Sequence, residues 1–183
     1  MNFPDHKKII QVNSTKLVQN FRIEVYEDEI KFPSGKPGVH WRVHYMRCGV
    51  GVIPCMPNGN ILLGLHHRYT TQQWGWEIVA GSMDPAESAE QTARRELLEE
   101  TAFTANELTY LFTYNPAPGL GDETFYAYLA KGLTKQEVDL DADEIYEVKE
   151  FTWDEIVGLI ERGEMQDGFS ITLLSFARAR GLI

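Results

Sequence analysis

The sequence predicts an α+β fold with one core of ordinary domain size. Strand-like patterns fill most of the first half of the chain, one helical segment lies in the middle, and two helical segments close the chain. At 183 residues, with 43% hydrophobic and 24% charged residues, the chain is long enough to bury such a core. The sequence has no internal repeat, low-complexity tract or Gly/Ser linker.

Strands are predicted for most of the first 56 residues. Residues 1–18 are polar and are predicted to be loosely held. Residues 20–29 and 41–47 alternate apolar and polar side chains, which is the period of a strand, and a Pro/Gly-rich loop separates them. Residues 48–56 are an almost continuous apolar run, which indicates a central strand.

The Asn58-Gly59 dipeptide predicts a hairpin turn. Residues 61–65 are therefore expected to pair back onto the central strand. The next residues are His66, His67 and Arg68 at a strand end, and adjacent strand residues point to opposite faces. The two histidines are therefore expected to be structural or surface residues and not one metal site.

The second half of the chain combines strands with two closing helices. Strands are predicted at residues 108–114, 123–129 and 146–151. The acidic segment at residues 131–144 is predicted to be an exposed loop. Thr152 is expected to cap a helix whose apolar residues recur at helical spacing, namely Ile156, Leu159 and Ile160. Residues 170–180 predict a second amphipathic helix.

The segment from residue 81 to residue 103 carries the strongest chemical signal. Ser88, with Gln91 three residues later, forms a capping box that predicts the start of a helix. On that helix Glu96, Glu99 and Glu100 stand at i, i+3 and i+4 and share one face. Carboxylates this close repel one another unless a cation lies among them, and hard oxygen ligands suit Mg²⁺ or Mn²⁺.

An acidic helix face can also be merely solvated. The fixed offsets of Gly81, Glu87 and Arg95 favour a metal site instead. Together these residues resemble the Nudix box, G-x5-E-x7-R-E-U-x-E-E-x-G-U, in which U is aliphatic. Ala102 stands at the usual glycine, where a left-handed helix end costs alanine about 1 kcal/mol. The final position, usually aliphatic, is Phe103.

The resemblance implies a Nudix fold, in which a mixed β-sheet lies between helices, and a divalent metal. It makes Glu96 and Glu100 metal ligands, Glu99 a further ligand that also serves catalysis, and the carbonyl of Ala80 a backbone ligand. Gly81 is expected to permit the turn that aims this carbonyl. Eight residues separate Glu87 from Arg95, and an ion pair between them is expected to lock the loop to the helix.

Beyond the box, the chain resembles the ADP-ribose pyrophosphatase branch of the family. This branch tends to carry a proline about fifteen residues after the box, and Pro118 is the fifteenth residue after Phe103. The branch often has Gln-x-Arg where this chain has His66-His67-Arg68. By this resemblance, Arg68 and Pro118 are predicted to contact the substrate.

Base stacking is predicted for Trp74 or Trp76, although a strand tryptophan is usually a core residue. For the general base the branch points to the loop before the closing strand, which holds Asp141, Asp143 and Glu144. Of these we predict Glu144, and the alternative is a solvated acidic loop.

The predicted reaction is metal-dependent hydrolysis of the pyrophosphate bond of a nucleoside diphosphate sugar, with ADP-ribose giving AMP and ribose 5-phosphate. Alternatives are another nucleotide sugar, such as GDP-mannose or ADP-glucose, and a non-catalytic nucleotide-sugar-binding regulator. An isopentenyl diphosphate isomerase would need a catalytic cysteine beside an acid, whereas Cys48 and Cys55 lie in an apolar segment far ahead of the box.

Charge and composition bound the partners. A formal net charge of −10 argues against nucleic acid, and the sequence has no run of transmembrane length and no signal-peptide core. The two cysteines are interpreted as buried thiols of a cytoplasmic protein. By resemblance, residues 1–47 form an N-terminal strand region exchanged in a homodimer, and residues 48–183 form the Nudix hydrolase domain.

Overall fold

A computed structural model of the chain describes residues 7–138, 140 and 145–183, and these form ten strands and three helices. The strands are β1 (Ile10–Gln19), β2 (Ile23–Lys31), β3 (Pro37–Tyr45), β4 (Gly49–Pro54), β5 (Ile61–Arg68), β6 (Gln73–Glu77), β7 (Val79–Ser82), β8 (Phe103–Tyr114), β9 (Phe125–Lys135) and β10 (Glu147–Phe151). The helices are α1 (Ala89–Thr101), α2 (Trp153–Glu161) and α3 (Gly168–Ala179). None of these three helices is long and apolar enough to cross a membrane.

The described residues divide into two compact units. One unit combines the described part of Met1–Cys48 with Ala117–Glu123, and the other combines Gly49–Pro116 with the described part of Thr124–Ile183. The domain boundaries expected from the sequence, at residues 47 and 48, remain a prediction.

The first unit contains an antiparallel sheet in the order β1-β2-β3. No strand is predicted within residues 1–18, but β1 begins at Ile10 and pairs with β2 along its length. Every residue of β1 is exposed. A strand with no buried face carries no apolar alternation, so the pattern that reveals other strands is missing here.

The second unit contains a mixed sheet in the order β7-β4-β9-β8, in which β4 and β9 are parallel and the other pairs are antiparallel. Val50 and Val52 of β4 pack toward α1, whereas Ile53 packs in the core that includes Leu173 and Leu174 of α3. Both faces of β4 are therefore buried, which explains its nearly continuous apolar run. The predicted central strand is confirmed.

The predicted pairing of residues 61–65 with the central strand is wrong. The turn forms, with Gly59 at φ +86°, but the only pairing across it within the described residues is an isolated bridge between Ile61 and Cys55, which follows β4. Both edges of β4 are already occupied, by β7 and β9. The β5 strand instead forms a second sheet in the order β10-β5-β6.

The predicted loop at residues 131–144 is partly wrong as well. The β9 strand continues to Lys135, which pairs with Phe103 at the start of β8. The long antiparallel partner β8 stabilises this part of β9 through backbone hydrogen bonds, which the charged side-chain pattern does not predict. Residues 139 and 141–144 lie outside the described part of the chain.

The helix starts follow their caps. Ser88 and Gln91 form the predicted capping box at α1, and Thr152 forms one with Glu155 at α2. The α3 helix begins at Gly168, slightly before the predicted start, because the Asp167 side chain accepts a hydrogen bond from the backbone N–H of Ser170.

Ala102 closes α1 in the left-handed conformation, with φ 59° and ψ 26°. We expect Ala102→Val to destabilise the protein by about 2 kcal/mol or more, because a β-branched side chain is strained in that region. Ala102→Gly should stay within about 1 kcal/mol of the natural chain, since relief of strain offsets the lost methyl group and the more flexible unfolded chain. Urea unfolding of the three proteins measures this, and equal stability of the valine and glycine variants would contradict it.

Candidate active site

Helix α1 carries the predicted carboxylates. It packs on the sheet through Ala93 and Leu97, which are fully buried. Glu96 and Glu100 stand one turn apart and are only 7% and 5% exposed. The Glu99 side chain is 52% exposed. The helix therefore presents two buried carboxylates and a third that reaches solvent.

The backbone of β7 lies against the two buried carboxylates. The Ala80 N–H donates to Glu100 Oε2 over 3.3 Å. A Cβ placed on Gly81 would stand 1.9 Å from Glu96 Oε1. The expected reason for this glycine, a sharp turn, is wrong, because Gly81 lies within β7 and pairs with Val50. Glycine is required because the Glu96 carboxylate occupies the space of its side chain.

Glu87 and Arg95 form the ion pair expected from their spacing. Arg95 Nε donates to Glu87 Oε1 over 2.9 Å, and Nη2 donates to Glu87 Oε2 over 3.0 Å. Arg95 Nη2 also donates to the carbonyl of Ser82, just beyond β7 residue Gly81. Arg95, followed by the Thr92 hydroxyl, lowers the pKa of Glu87 to about 2. The pair joins the loop before α1 to the body of the helix.

The remaining terminal nitrogen of Arg95 neutralises the carboxylate face. Its Nη1 donates to Glu96 Oε1 over 2.8 Å and to Glu99 Oε2 over 2.9 Å. Its hydrogen bonds to Glu87 and the neighbouring glutamates raise the pKa of Arg95 above its ordinary value. The guanidinium therefore stays charged and offsets the repulsion among the glutamates.

The donor set suits a hard divalent cation. Carboxylate oxygens of Glu96 and Glu100 lie against the β7 backbone around Ala80 and Gly81. Glu99 stands on the same face of α1, three residues after Glu96. Within the described residues, no three acidic, histidine or cysteine side chains already converge as a metal cage. Arg95 holds two of the carboxylates, so a metal would have to take Glu96 and Glu99 from it.

A second ion pair lies on the neighbouring sheet and was not predicted. Arg68 donates through Nε and Nη2 to the two carboxylate oxygens of Glu77. Glu77 is 4% exposed, and its burial raises its pKa while Arg68 opposes that rise. Glu77 in turn raises the pKa of Arg68, as does the more distant carboxylate of Glu100. The sequence signal for this pair is Glu77, the single acidic residue in the otherwise apolar stretch Trp74–Val79, because a buried charge needs a partner.

Comparison with known proteins identifies the family of the chain. The NUDIX domain profile matches residues 45–171, which is more than half of the chain. The chain belongs to the Nudix family. The family predicted from the box is thereby confirmed, and so is the conclusion that the protein is a Nudix hydrolase.

Individual relatives extend the match beyond the box. The chain is 33% identical over 147 residues to an ADP-ribose pyrophosphatase of Bacillus subtilis, which covers 79% of each protein. It is 30% identical over 188 residues to a GDP-mannose pyrophosphatase of Yersinia enterocolitica, covering 96% of this chain and 98% of that protein. A crystal structure of an ADP compounds hydrolase aligns with a TM-score of 0.83 at 22% identity, over 96% of this chain and 97% of that one. The Nudix fold is thus confirmed.

The two adjacent histidines of this Nudix hydrolase point to opposite faces of β5, as predicted. His67 is exposed and contacts the ring of Trp74, with centroids 5.2 Å apart. His66 is 5% exposed, and its buried Nε2 has no hydrogen-bond partner among the described residues. Burial lowers the pKa of His66 to about 4, and the positive charge of Arg68 adds to this.

We expect His66→Gln to flatten the loss of stability on acidification. The pKa of His66 falls from 6.5 in the ordinary case to about 4 in the fold. Between these values the unfolded chain binds a proton that the folded protein excludes, so stability declines as the pH falls through this window. The decline due to His66 is on the order of 3 kcal/mol. Urea unfolding at pH 7 and pH 4.5 measures it, and equal pH dependence in both proteins would contradict it.

The predicted stacking residues lie apart from Arg68 on the β10-β5-β6 sheet. Trp74 and Trp76 pair with His67 and Leu65, and by strand alternation their side chains lie on the face opposite Arg68. Trp76 packs edge-on against Phe151, with centroids 4.7 Å apart, which is the core alternative. Trp74 is 54% exposed. Their role in base stacking remains a prediction.

Pro118 and Glu144 are the two remaining residues predicted for the site. Pro118 lies in a turn in which the N–H groups of Leu120 and Gly121 both donate to the carbonyl of Ala117. This turn belongs to the first compact unit, and its substrate role remains a prediction. Glu144, the predicted general base, lies outside the described residues.

Proposed function

We propose that this Nudix hydrolase cleaves the pyrophosphate bond of a nucleoside diphosphate sugar, with ADP-ribose as the first candidate and AMP and ribose 5-phosphate as products. The single observation that carries the proposal is the pair of buried carboxylates, Glu96 and Glu100, held against the Ala80–Gly81 backbone with Arg95 beside them. The named relatives support nucleotide sugars as the substrate class.

The residues divide the work as follows. Glu96, Glu100, Glu99 and the Ala80 carbonyl would hold Mg²⁺ or Mn²⁺, as the donor set suits. When bound, such an ion neutralises phosphate charge and acidifies water. The Glu87–Arg95 pair keeps the carboxylate face in register with β7.

Arg68 is the group best placed to bind a phosphate of the substrate. Glu77 fixes its guanidinium by a two-point contact and leaves half of the Arg68 side chain, 51%, exposed. A planar cation held in this way can present its free N–H edge to phosphate oxygens. Glu144 is proposed as the base that removes a proton from the attacking water, and this role rests on the family resemblance alone.

A second candidate is a GDP-mannose pyrophosphatase. Two observations favour it: the Yersinia relative matches nearly the full length of the chain, and His66 replaces the glutamine common in ADP-ribose enzymes. His66 is buried and lies on the same face of β5 as Arg68. A histidine in place of glutamine at this position would therefore alter the packing beside Arg68 and not the exposed surface.

The test is a comparison of kcat/KM among four substrates. ADP-ribose, GDP-mannose, ADP-glucose and NADH are incubated separately with the protein and Mg²⁺ or Mn²⁺, and the nucleoside monophosphate released is quantified by chromatography. The highest kcat/KM is expected for ADP-ribose. A higher value for GDP-mannose would transfer the assignment to the second candidate, and no cleavage of any substrate would refute pyrophosphatase activity on this class.

We also propose that the protein is a cytoplasmic homodimer. Cys48 and Cys55 are both free thiols, which fits a reducing compartment. The N-terminal sheet exposes large apolar side chains, including Val12 at 65%, Val39 at 62% and Trp41 at 58%. Exposed apolar surface of this kind is typical of an interface. Sedimentation equilibrium should give a mass of two chains for the natural protein, and Val39→Asp should lower the mass toward that of one chain. A monomeric natural protein would refute the dimer.

A further inference from the structure

Thr92 is a buried polar residue that the Nudix box pattern does not specify. It lies on α1 between Glu87 and Arg95 and is 0% exposed. Its hydroxyl Oγ1 donates to Glu87 Oε2 over 2.8 Å. Thr101, the other buried threonine of α1, instead donates to the carbonyl of Leu97 one turn back, as helical threonines commonly do. Thr92 therefore directs its hydroxyl to a functional carboxylate and not to the helix backbone.

This hydroxyl is one of several donors around Glu87, together with the Arg95 guanidinium and a backbone hydrogen bond at Asp84. Arg95 supplies Nε to Oε1 and Nη2 to Oε2, and Thr92 supplies the third hydrogen bond, to Oε2. Three donors on one carboxylate fix both its position and its orientation. Thr92 is the more rigid of the two side-chain donors, because its side chain is short, β-branched and fully buried, whereas that of Arg95 is long.

The fixed position of Glu87 controls Arg95, and Arg95 contacts the carboxylates proposed to bind metal. Arg95 Nη1 donates to Glu96 Oε1 and Glu99 Oε2, while its other nitrogens bind Glu87. The guanidinium thus lies between Glu87 on one side and Glu96 and Glu99 on the other, and these three carboxylates compete for it. If a metal binds Glu96 and Glu99, Glu87 is the one of these three carboxylates that still pairs with Arg95.

We propose that Thr92 is a positioning residue that strengthens divalent-metal binding by holding Glu87 as the resting partner of Arg95. Without the hydroxyl, Glu87 keeps the Arg95 guanidinium and a backbone hydrogen bond at Asp84 but loses the Thr92 donor on α1, so the Glu87–Arg95 pair is held less firmly. Arg95 then follows Glu96 and Glu99 and competes with the metal for them. The inference rests on the proposed function, because it assumes that these glutamates are metal ligands.

The test measures metal binding without substrate. Free Mn²⁺ is titrated against the full-length protein and followed by its electron paramagnetic resonance signal, for the natural chain and for Thr92→Val, Thr92→Ser and Thr101→Val. Valine keeps the volume of threonine and removes the hydroxyl, whereas serine keeps the hydroxyl. Thr101→Val is the matched control, since it removes a buried hydroxyl of the same helix that does not bind Glu87. Thermal unfolding of each variant is recorded in parallel.

We expect Thr92→Val to weaken Mn²⁺ binding by about tenfold, as suits one hydrogen bond to a charged group. Thr92→Ser should restore most of the affinity, and Thr101→Val should lower the melting temperature without changing Mn²⁺ binding. Unchanged or tighter binding by Thr92→Val, or equal weakening by Thr101→Val, would overturn the proposal.

A parallel assay of ADP-ribose cleavage separates this inference from the function on which it rests. If the natural chain binds Mn²⁺ but cleaves no nucleotide sugar, the proposed function fails while the Thr92 effect on metal binding is still measured. If the natural chain is active and Thr92→Val has the natural metal dependence, the function stands and the role of Thr92 is refuted.

Discussion

Glu100→Gln is expected to lower the turnover of ADP-ribose at saturating Mg²⁺ by about a thousandfold, equivalent to about 4 kcal/mol of transition-state stabilisation. The amide keeps the size of the carboxylate and can still accept the hydrogen bond from the Ala80 N–H. It removes the negative charge that a hard cation requires. The folded structure should therefore survive while the reaction is lost.

The control for this variant is Glu90→Gln on the same helix. Glu90 is an exposed residue whose carboxylate pairs with Arg94 at i, i+4. Its substitution should leave turnover within about twofold of the natural value, since exposed pairs of this kind contribute little. Circular dichroism establishes that both variants are folded. A Glu100→Gln protein with more than about a tenth of natural activity would remove Glu100 from the metal site.

Gly81→Ala is expected to lower activity by at least about a hundredfold. The added Cβ would stand 1.9 Å from Glu96 Oε1 and 2.5 Å from Oε2, so the carboxylate must leave its position. Because the obstructed group is the end of a side chain, the protein can relax, and the stability loss should be only about 1–3 kcal/mol. The distinctive result is therefore a large loss of catalysis with a moderate loss of stability.

Gly168→Ala is a suitable comparison, because an added Cβ there meets nothing within 4 Å. It should be active and at least as stable as the natural chain, since alanine favours a helix more than glycine does. Steady-state kinetics and urea unfolding of both variants separate the two effects. Natural activity in Gly81→Ala would show that the position of Glu96 against β7 is unimportant.

The elements that could be predicted from the sequence are those encoded over short distances. The capping box of Ser88 and Gln91, the shared face of the α1 glutamates and the Glu87–Arg95 pair each join residues no more than eight apart, in α1 or just before it. Helical geometry alone determines which of these side chains are neighbours. The Nudix family match therefore followed from local spacing.

The features that could not be predicted depend on partners distant in the fold. The β5 strand leaves the hairpin for β10 because β7 and β9 occupy both edges of β4. The Arg68–Glu77 pair forms across two antiparallel strands whose register was unknown. The true role of Gly81 emerges only when Glu96 is seen to fill the space beside it.

The most direct test of the proposed chemistry is phosphorus NMR of ADP-ribose incubated with the natural chain. One sample contains Mg²⁺, and in a second sample the metal is chelated from the start. With Mg²⁺ we expect the diphosphate signals to disappear and two phosphate monoester signals, of AMP and ribose 5-phosphate, to replace them in equal amounts. With chelator the diphosphate should persist. Cleavage that continues without metal, or a diphosphate that remains intact with Mg²⁺, would contradict the assignment of this site as a metal-dependent ADP-ribose pyrophosphatase.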